Sequence, residues 1–270
     1  ERGAGRVTIE RVPYVVGQAL EVTKHIRHVI LIGAKTPVAF FAYPDLPSLL
    51  IPDGCKVHHL ASVNEDIGNA LLRLASRVGA EPAKRDGQNL DRPTLQSVEL
   101  NADSIGAAIG HLLPENAIVS DESITAGRAL HPYTKGCPPH DWLSGTGGSI
   151  GRALPESTGA AIACPDRRVL CLSGDGSAMY TIQALWTQAR ESLNVTTVIY
   201  DNRSYAILHG ELRNVGAEAG QKARDMFDLD RPVLDWLSIA KGLGVEAVRA
   251  TTAEEFNQAL ARSFATPGPM

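Results

Sequence analysis

The most constraining stretch of this chain runs from Val169 to Leu208, VLCLSGDGSAMYTIQALWTQARESLNVTTVIYDNRSYAIL. Its first run, VLCLS, is short, apolar and rich in strand formers, and it stops at Gly174-Asp175-Gly176. Ile182, Leu185, Trp186 and Ala189 follow at the spacing of one helix face. VTTVIY then forms a second strand and breaks at Asp201-Asn202. Two strands joined by a crossover helix pair in parallel. Asp175 and Asn202 should therefore stand at the carboxyl ends of adjacent strands, the edge where open α/β sheets bind ligands. Hard oxygen donors there suit a divalent cation, and glycines beside them let backbone N–H groups approach a phosphate. The carbonyl of Ser204, two residues on, could complete the protein share of an octahedron. Asp-Gly and Asp-Asn are also ordinary turn residues, so the spacing by itself leaves a plain turn open.

The rest of the chain alternates helix and strand, which predicts an α/β protein with two parallel-sheet Rossmann-like units. The first unit spans 1–80. It has a helix over 11–25, a strand at His28–Gly33, a proline-rich loop through Pro52 and a strand at Lys56–Ala61. Asn64 is expected to cap its last helix, whose apolar positions run from Ile67 to Val78. Hydrophobic periodicity vanishes over 81–98, the expected linker. The second unit, 99–270, opens with Asn101 or Asp103 capping a helix, followed by a strand at Ala117–Glu122. A glycine turn at 145–151 leads to a helix over 153–163 with Pro155 in its first turn. After the opening stretch, the polar run 209–232 is long enough to suggest a mobile active-site loop. A helix at Asp235–Leu243, a strand at Val245–Ala250 and a last helix with a Thr252–Glu255 capping box complete the reading.

Composition excludes several classes. The 270 residues are 44% hydrophobic, enough for a sizeable core, and carry a formal net charge of −4 with no basic run. Nucleic acid and membrane-surface partners are not expected. No apolar segment approaches the roughly 20 residues of a spanning helix, and the first residues lack a signal-peptide pattern. Cys55, Cys137, Cys164 and Cys171 form no CxxC pair, which reads as reduced thiols in a cytoplasmic protein. Both ends look cut, since the chain opens without Met and stops at Pro-Gly-Pro-Met270, a pattern that introduces a strand. A longer parent protein is the expectation.

Rival motifs are weaker. Gly145-Thr-Gly-Gly-Ser-Ile-Gly151 invites a dinucleotide reading, but Ile150 occupies the place of the third glycine. There is no Gly-Lys-Ser/Thr phosphate loop and no G-x-S-x-G nucleophile elbow. His58 and His59 are neighbours on a strand and point to opposite faces, so they cannot share a metal. His131, His140 and His209 fall in loops, where a solvated histidine is the plainer reading.

GDGS, with Asn202 lying 27 residues after its Asp, resembles the thiamine diphosphate motif of the acetolactate synthase and benzoylformate decarboxylase superfamily. FFAYP (40–44), HDWL (140–143), DGSAMYTI (175–182) and LWTQARE (185–191) are similar to blocks of the acetolactate synthase large-subunit-like group. The resemblance implies that 1–80 is part of a central domain and 99–270 the thiamine diphosphate-binding domain. It implies that Asp175, Asn202 and the carbonyl of Ser204 hold Mg²⁺. Gly174, Gly176, Ser177 and Tyr205 would lie on the cofactor, with Ile124 and Thr125 assisting at the diphosphate. Gly148 would accept from the aminopyrimidine through its carbonyl, and Ile150 would bend the cofactor so that it can activate itself. Relatives usually carry an aromatic and small residues where this chain has Arg152 and Glu156.

By the same resemblance, the glutamate that activates the aminopyrimidine comes from a separate N-terminal domain, usually of a partner subunit. No catalytic residue is therefore assigned within these residues, which would not turn over alone. The implied activity is a thiamine diphosphate- and Mg²⁺-dependent carboligase or decarboxylase of small 2-oxo acids, most simply pyruvate to acetolactate. The implied assembly is a homodimer or homotetramer with sites between subunits. No residue supports FAD. The alternatives are a benzoylformate-type decarboxylase, a non-catalytic paralogue that binds the cofactor, and, more distantly, an NAD-dependent dehydrogenase using Gly145–Gly151.

Overall fold

A computed structural model describes residues 1–270 except Thr8, 81–86, Thr146 and Ala219. Residues 81–86 of the expected linker thus lie outside the described residues. The chain divides into two compact units. One comprises 1–8, 85–213 and 217–270, and the other 9–84 and 214–216. Residues 87–98, read from sequence as linker, run along the first of these. Asp91 N–H donates to Gly136 O at 2.8 Å, and Asn257 Nδ2 donates to Gln96 O at 3.1 Å.

The smaller unit contains α1 (Val16–Thr23), β1 (His28–Ile32), β2 (Lys56–Ala61) and α2 (Ile67–Arg77). β1 and β2 pair in parallel, as the crossover between them predicts. Asp66, not Asn64, caps α2: its Oδ1 accepts from Asn69 N–H at 2.9 Å. Asn64 lies two residues too early to reach a first-turn amide of this helix.

The larger unit opens with α3 (Ala102–Leu112) and β3 (Ile118–Glu122), followed by a 3₁₀ turn (Ala126–Ala129). Next come α4 (Leu130–Thr134), β4 (Asp141–Ser144), α5 (Ala153–Ala163) and β5 (Val169–Gly174). α6 (Asp175–Ala178), α7 (Ala184–Arg190) and β6 (Val195–Tyr200) complete the strands. α8 (Ala206–Asn214), α9 (Gln221–Phe227), α10 (Trp236–Gly242) and α11 (Ala253–Ala265) follow. The four strands form one parallel sheet in the order β4-β3-β5-β6. Alternate residues of each strand face opposite layers, because side chains have period two. Val119, Leu170 and Leu172 pack with Ile109 of α3 and with Phe256 and Leu260 of α11. Ile118, Val169, Cys171 and Val195 pack on the other side with Leu154 of α5, Leu185 of α7 and Ala240 of α10.

Asn101 caps α3, with a reciprocal bond between Ser104 Oγ and the Asn101 N–H, and Thr252 with Glu255 does the same for α11. Three local expectations change. The helix read across Ile182 to Ala189 begins only at Ala184, as α7, with Ile182 in the turn that follows α6. It leaves Trp186 about half exposed, under the guanidinium of Arg190 at 4.9 Å. Residues 209–232 are not an open loop but contain most of α8 and all of α9. They are tied back by Tyr205 N–H to Phe227 O (2.8 Å) and Leu229 N–H to Arg203 O (2.7 Å). Residues 245–250 form no strand. The outer edge of β6 is met instead by Met270, whose N–H donates to Val195 O (3.0 Å) and whose carbonyl accepts from Thr197 N–H (2.7 Å).

Candidate functional site

The residues that the resemblance assigns to the cofactor and metal lie at or just beyond the carboxyl ends of the strands of the four-stranded sheet. Gly174 lies opposite Tyr200 in the β5–β6 ladder, so the two turns that follow begin side by side. Asp175 is 2% exposed, and both its oxygens are engaged. Oδ1 accepts from Gly176 N–H at 2.8 Å and Oδ2 from Arg203 N–H at 2.6 Å. The second bond crosses from one strand end to the next. It requires Arg203 to adopt a left-handed backbone, φ 55°, which is uncommon outside glycine and asparagine.

Asn202 Oδ1 accepts from Ser204 N–H at 3.0 Å, folding the turn on itself. Ser204 sits between the two ladder bonds that Tyr205 and Leu229 make with Phe227 and Arg203. Tyr205 lays its ring on the Cα of Gly176: a methyl group added there would run into Cε1 and Cδ1 of the ring. Only glycine allows that approach.

Burial pushes the carboxyl of Asp175 above the ordinary aspartate range, and neighbouring Asp201 adds to the rise. The two N–H bonds pull the other way without cancelling it. A cation at these oxygens would reverse the balance. Asp201 is itself flanked by Arg203 at 3.9 Å and Arg249 at 3.8 Å. Burial also lifts the Tyr205 hydroxyl above its usual range, with Tyr180 and Asp175 contributing. Among the described residues no three His, Cys, Asp or Glu side chains converge on one point, so a cation here would depend on amide and carbonyl oxygens as well.

Ile124 and Thr125 follow β3, the strand beside β5, and Ile124 takes a left-handed φ of 51°. For a β-branched residue that conformation is strained. Gly148 and Ile150 lie in the turn after β4, where Gly147, Gly148 and Gly151 all have positive φ. Thr181 Oγ1 donates to Gly151 O at 2.6 Å and holds that turn toward α7.

One residue here was not singled out from sequence. Glu122, 4% exposed, accepts from Ser173 Oγ at 2.6 Å and from Arg152 N–H at 2.8 Å. Arg152 and Glu156 form an ion pair turned toward β3, where Ser120 Oγ and Asp121 O join them. The available signal for Glu122 was a carboxylate as the last residue of the strand AIVSDE. The cysteines take no part. Burial raises the Cys137 thiol to about 11 and Cys171 to about 12, which leaves both protonated at neutral pH. A cavity of about 570 Å³ runs along the outer edge of β6 between Val198, Trp236, Val248 and Leu260. Its walls include Asp201, Asn202 and Arg203 but not Asp175, Gly176 or Gly148, so it runs from the sheet edge to the Asn202 turn without taking in the rest of the site. Among the described residues no helix is long and apolar enough to cross a membrane.

Comparison with known proteins identifies the family. Residues 125–270 match the family model described as "Thiamine pyrophosphate enzyme, C-terminal TPP binding domain". The chain is 50% identical over its whole length to a Mycobacterium tuberculosis protein named "Putative acetolactate synthase large subunit IlvX", of which it covers 52%. It is 33% identical over 228 residues to the acetolactate synthase isozyme 1 large subunit of Escherichia coli, covering 79% of this chain and 39% of that one. Among solved structures, the Rhodococcus jostii RHA1 thiamine diphosphate-dependent 4-hydroxybenzoylformate decarboxylase is similar at a TM-score of 0.76 and 25% identity. The match covers 96% of this chain and 50% of that one. The chain thus spans about half the length of these relatives or less. A parallel sheet with its glycine and asparagine turns gathered at the strand ends, and a family match over more than half the residues, lead to one conclusion: this chain belongs to the thiamine pyrophosphate enzymes and carries their C-terminal cofactor-binding domain.

Proposed function

We propose that this chain supplies the diphosphate- and Mg²⁺-binding half of a thiamine diphosphate-dependent enzyme that acts on small 2-oxo acids, of the acetolactate synthase type. The observation that carries it is the fastening of the Asp201–Ser204 turn to the Asp175 carboxylate at 2.6 Å. The residues present fit the group. Asp175, Asn202 and the Ser204 carbonyl are all hard oxygen donors, and Asp175 is a buried anion that a cation would neutralise. A methyl group added at Gly174 or Gly147 would meet nothing within 4 Å, so backbone at both turns is open to a ligand.

In this reading Asp175, Asn202 and Ser204 hold Mg²⁺. Gly174, Gly176, Ser177, Ile124 and Thr125 face the diphosphate, Tyr205 covers Gly176, and Gly148 and Ile150 serve the ring end. When bound, thiamine diphosphate supplies a nucleophilic carbon and an electron sink for loss of CO₂ from a 2-oxo acid. The chain's own contribution is to bind the tail, neutralise its charge and orient the ring. The residue that activates the ring lies outside this set.

Titration calorimetry of thiamine diphosphate into the chain, with and without Mg²⁺, tests the binding half. Mg²⁺-dependent binding is expected, and its absence also in the full-length protein would overturn the reading. Product analysis of the full-length protein with pyruvate tests the chemistry, acetolactate being expected over acetaldehyde. A second reading, a decarboxylase of aromatic 2-oxo acids, is favoured by the likeness to the Rhodococcus jostii decarboxylase over 96% of this chain. Release of an aromatic aldehyde from benzoylformate, with no acetolactate from pyruvate, would select it.

A further inference from the structure

Glu122 stands where three segments of the proposed cofactor site meet. It is the last residue of β3, two residues before Ile124. Its Oε1 accepts from the hydroxyl of Ser173, the residue before Gly174-Asp175, at 2.6 Å. Its Oε2 accepts from the backbone N–H of Arg152, the first residue after the Gly145–Gly151 turn, at 2.8 Å. One carboxylate therefore ties the turn that carries Gly148 and Ile150 to the strand that presents Asp175.

Stability alone does not account for an acid at this point. A buried carboxylate is costly unless its oxygens accept hydrogen bonds, and replacing buried ionic groups by apolar side chains is often neutral or stabilising. What an apolar residue cannot do is hold two separate backbones at a set spacing. The turn needs such a tie. Gly147, Gly148 and Gly151 have φ of 66°, 71° and 79°, a backbone open to many conformations unless anchored.

We propose that Glu122 is a positioning residue: it fixes the spacing between the Gly148–Ile150 turn and the Gly174–Ser177 turn, and so sets how firmly the ring end of thiamine diphosphate is held. The inference rests on the cofactor reading given above. It separates two parts of the ligand, because the two bonds of Glu122 reach neither the Mg²⁺ ligands Asp175, Asn202 and Ser204 nor the diphosphate-facing Gly174, Gly176, Ser177, Ile124 and Thr125, whereas Arg152, which it holds, follows directly on the ring-end turn.

The test is calorimetry of the wild-type chain, Glu122→Ala, Glu122→Gln and Ser173→Ala with two probes, Mg²⁺ plus inorganic pyrophosphate and Mg²⁺ plus thiamine diphosphate. Glu122→Ala should weaken thiamine diphosphate about tenfold or more, the loss expected when a charge-assisted hydrogen bond is removed, and leave pyrophosphate within about twofold. Glu122→Gln should stay near wild type, since its amide oxygen can accept from Arg152 N–H while its NH₂ donates to Ser173 Oγ. Ser173→Ala cuts one tie and keeps the other. If Glu122→Ala fails to fold, a selective loss of thiamine diphosphate in Ser173→Ala supports the proposal, and wild-type affinity for both probes overturns it. Equal weakening of both probes in Glu122→Ala, or no weakening of either, overturns the positioning role alone. A wild-type chain that binds neither probe overturns the cofactor reading, and this inference with it.

Discussion

The backbone N–H of Arg203 donates to Asp175 Oδ2 at 2.6 Å, so the turn after β6 is fastened to the carboxylate that opens α6. Asp175→Asn keeps the size of the side chain but turns one acceptor into a donor facing an N–H. Loss of that bond should lower the stability of the chain by about 1–3 kcal/mol in urea unfolding. In the same variant Mg²⁺ should no longer strengthen thiamine diphosphate binding, because the charged ligand of the proposed site is gone.

Gly176 and Tyr205 touch so closely that a methyl group at 176 runs into the ring. Gly176→Ala should destabilise the chain by about 1–3 kcal/mol, the usual range for overpacking. Adding Tyr205→Ala should recover much of that loss. A double-mutant cycle with no coupling between the two would contradict the contact.

Neighbouring residues of α7 separate core from surface. Leu185 is 5% exposed and Trp186 is 51% exposed. Leu185→Ala should cost about 2–5 kcal/mol, as buried leucines do. Trp186→Ala should cost under about 1 kcal/mol, the worth of an exposed stack on Arg190. Thermal melts of the two variants, read side by side, give the order.

His140 sets an acid limit. Burial holds its imidazole below the usual 6.5, assisted by Arg2 and the N-terminal amine, while its bond to Pro138 O and the charge of Asp141 pull upward. A base with a depressed folded-state value binds fewer protons than the unfolded chain at the same pH. Its contribution is fully present above about 6.5 and is lost as the pH falls below that, toward the depressed value. His140→Asn keeps a donor for Pro138 O and removes the titration. Its stability should therefore fall less steeply than wild type between pH 6.5 and mildly acidic conditions, as measured by denaturant midpoints.

Three of the four strands of the sheet were legible as short runs ending in turn residues, while β4 (Asp141–Ser144), only four residues long, was not. VLCLSG and VTTVIY appear where the runs predict, adjacent and parallel. The pairing of Asp175 with the Asn202 turn was legible for the same reason, since a crossover unit puts both strand ends together. Arg203 was not, because nothing in an arginine announces a left-handed backbone. Glu122 was passed over because the partners that explain it lie 30 and 51 residues away. The 209–232 segment misled because its helices are short and their buried faces few. What holds them is backbone bonding to Arg203 and Tyr205, which leaves no periodic trace. The strand expected at 245–250 failed because a strand exists only through its neighbour, and Met270 meets that edge of β6.

Met270 also leaves a mark on proton exchange. Thr197 N–H donates to Met270 O at 2.7 Å and Met270 N–H donates to Val195 O at 3.0 Å, so both amides are held at the edge of β6. Amides bonded in this way give up their protons to solvent only when the contact opens. The rate at which the two lose their protons in deuterated water therefore reads how often Met270 lifts from β6.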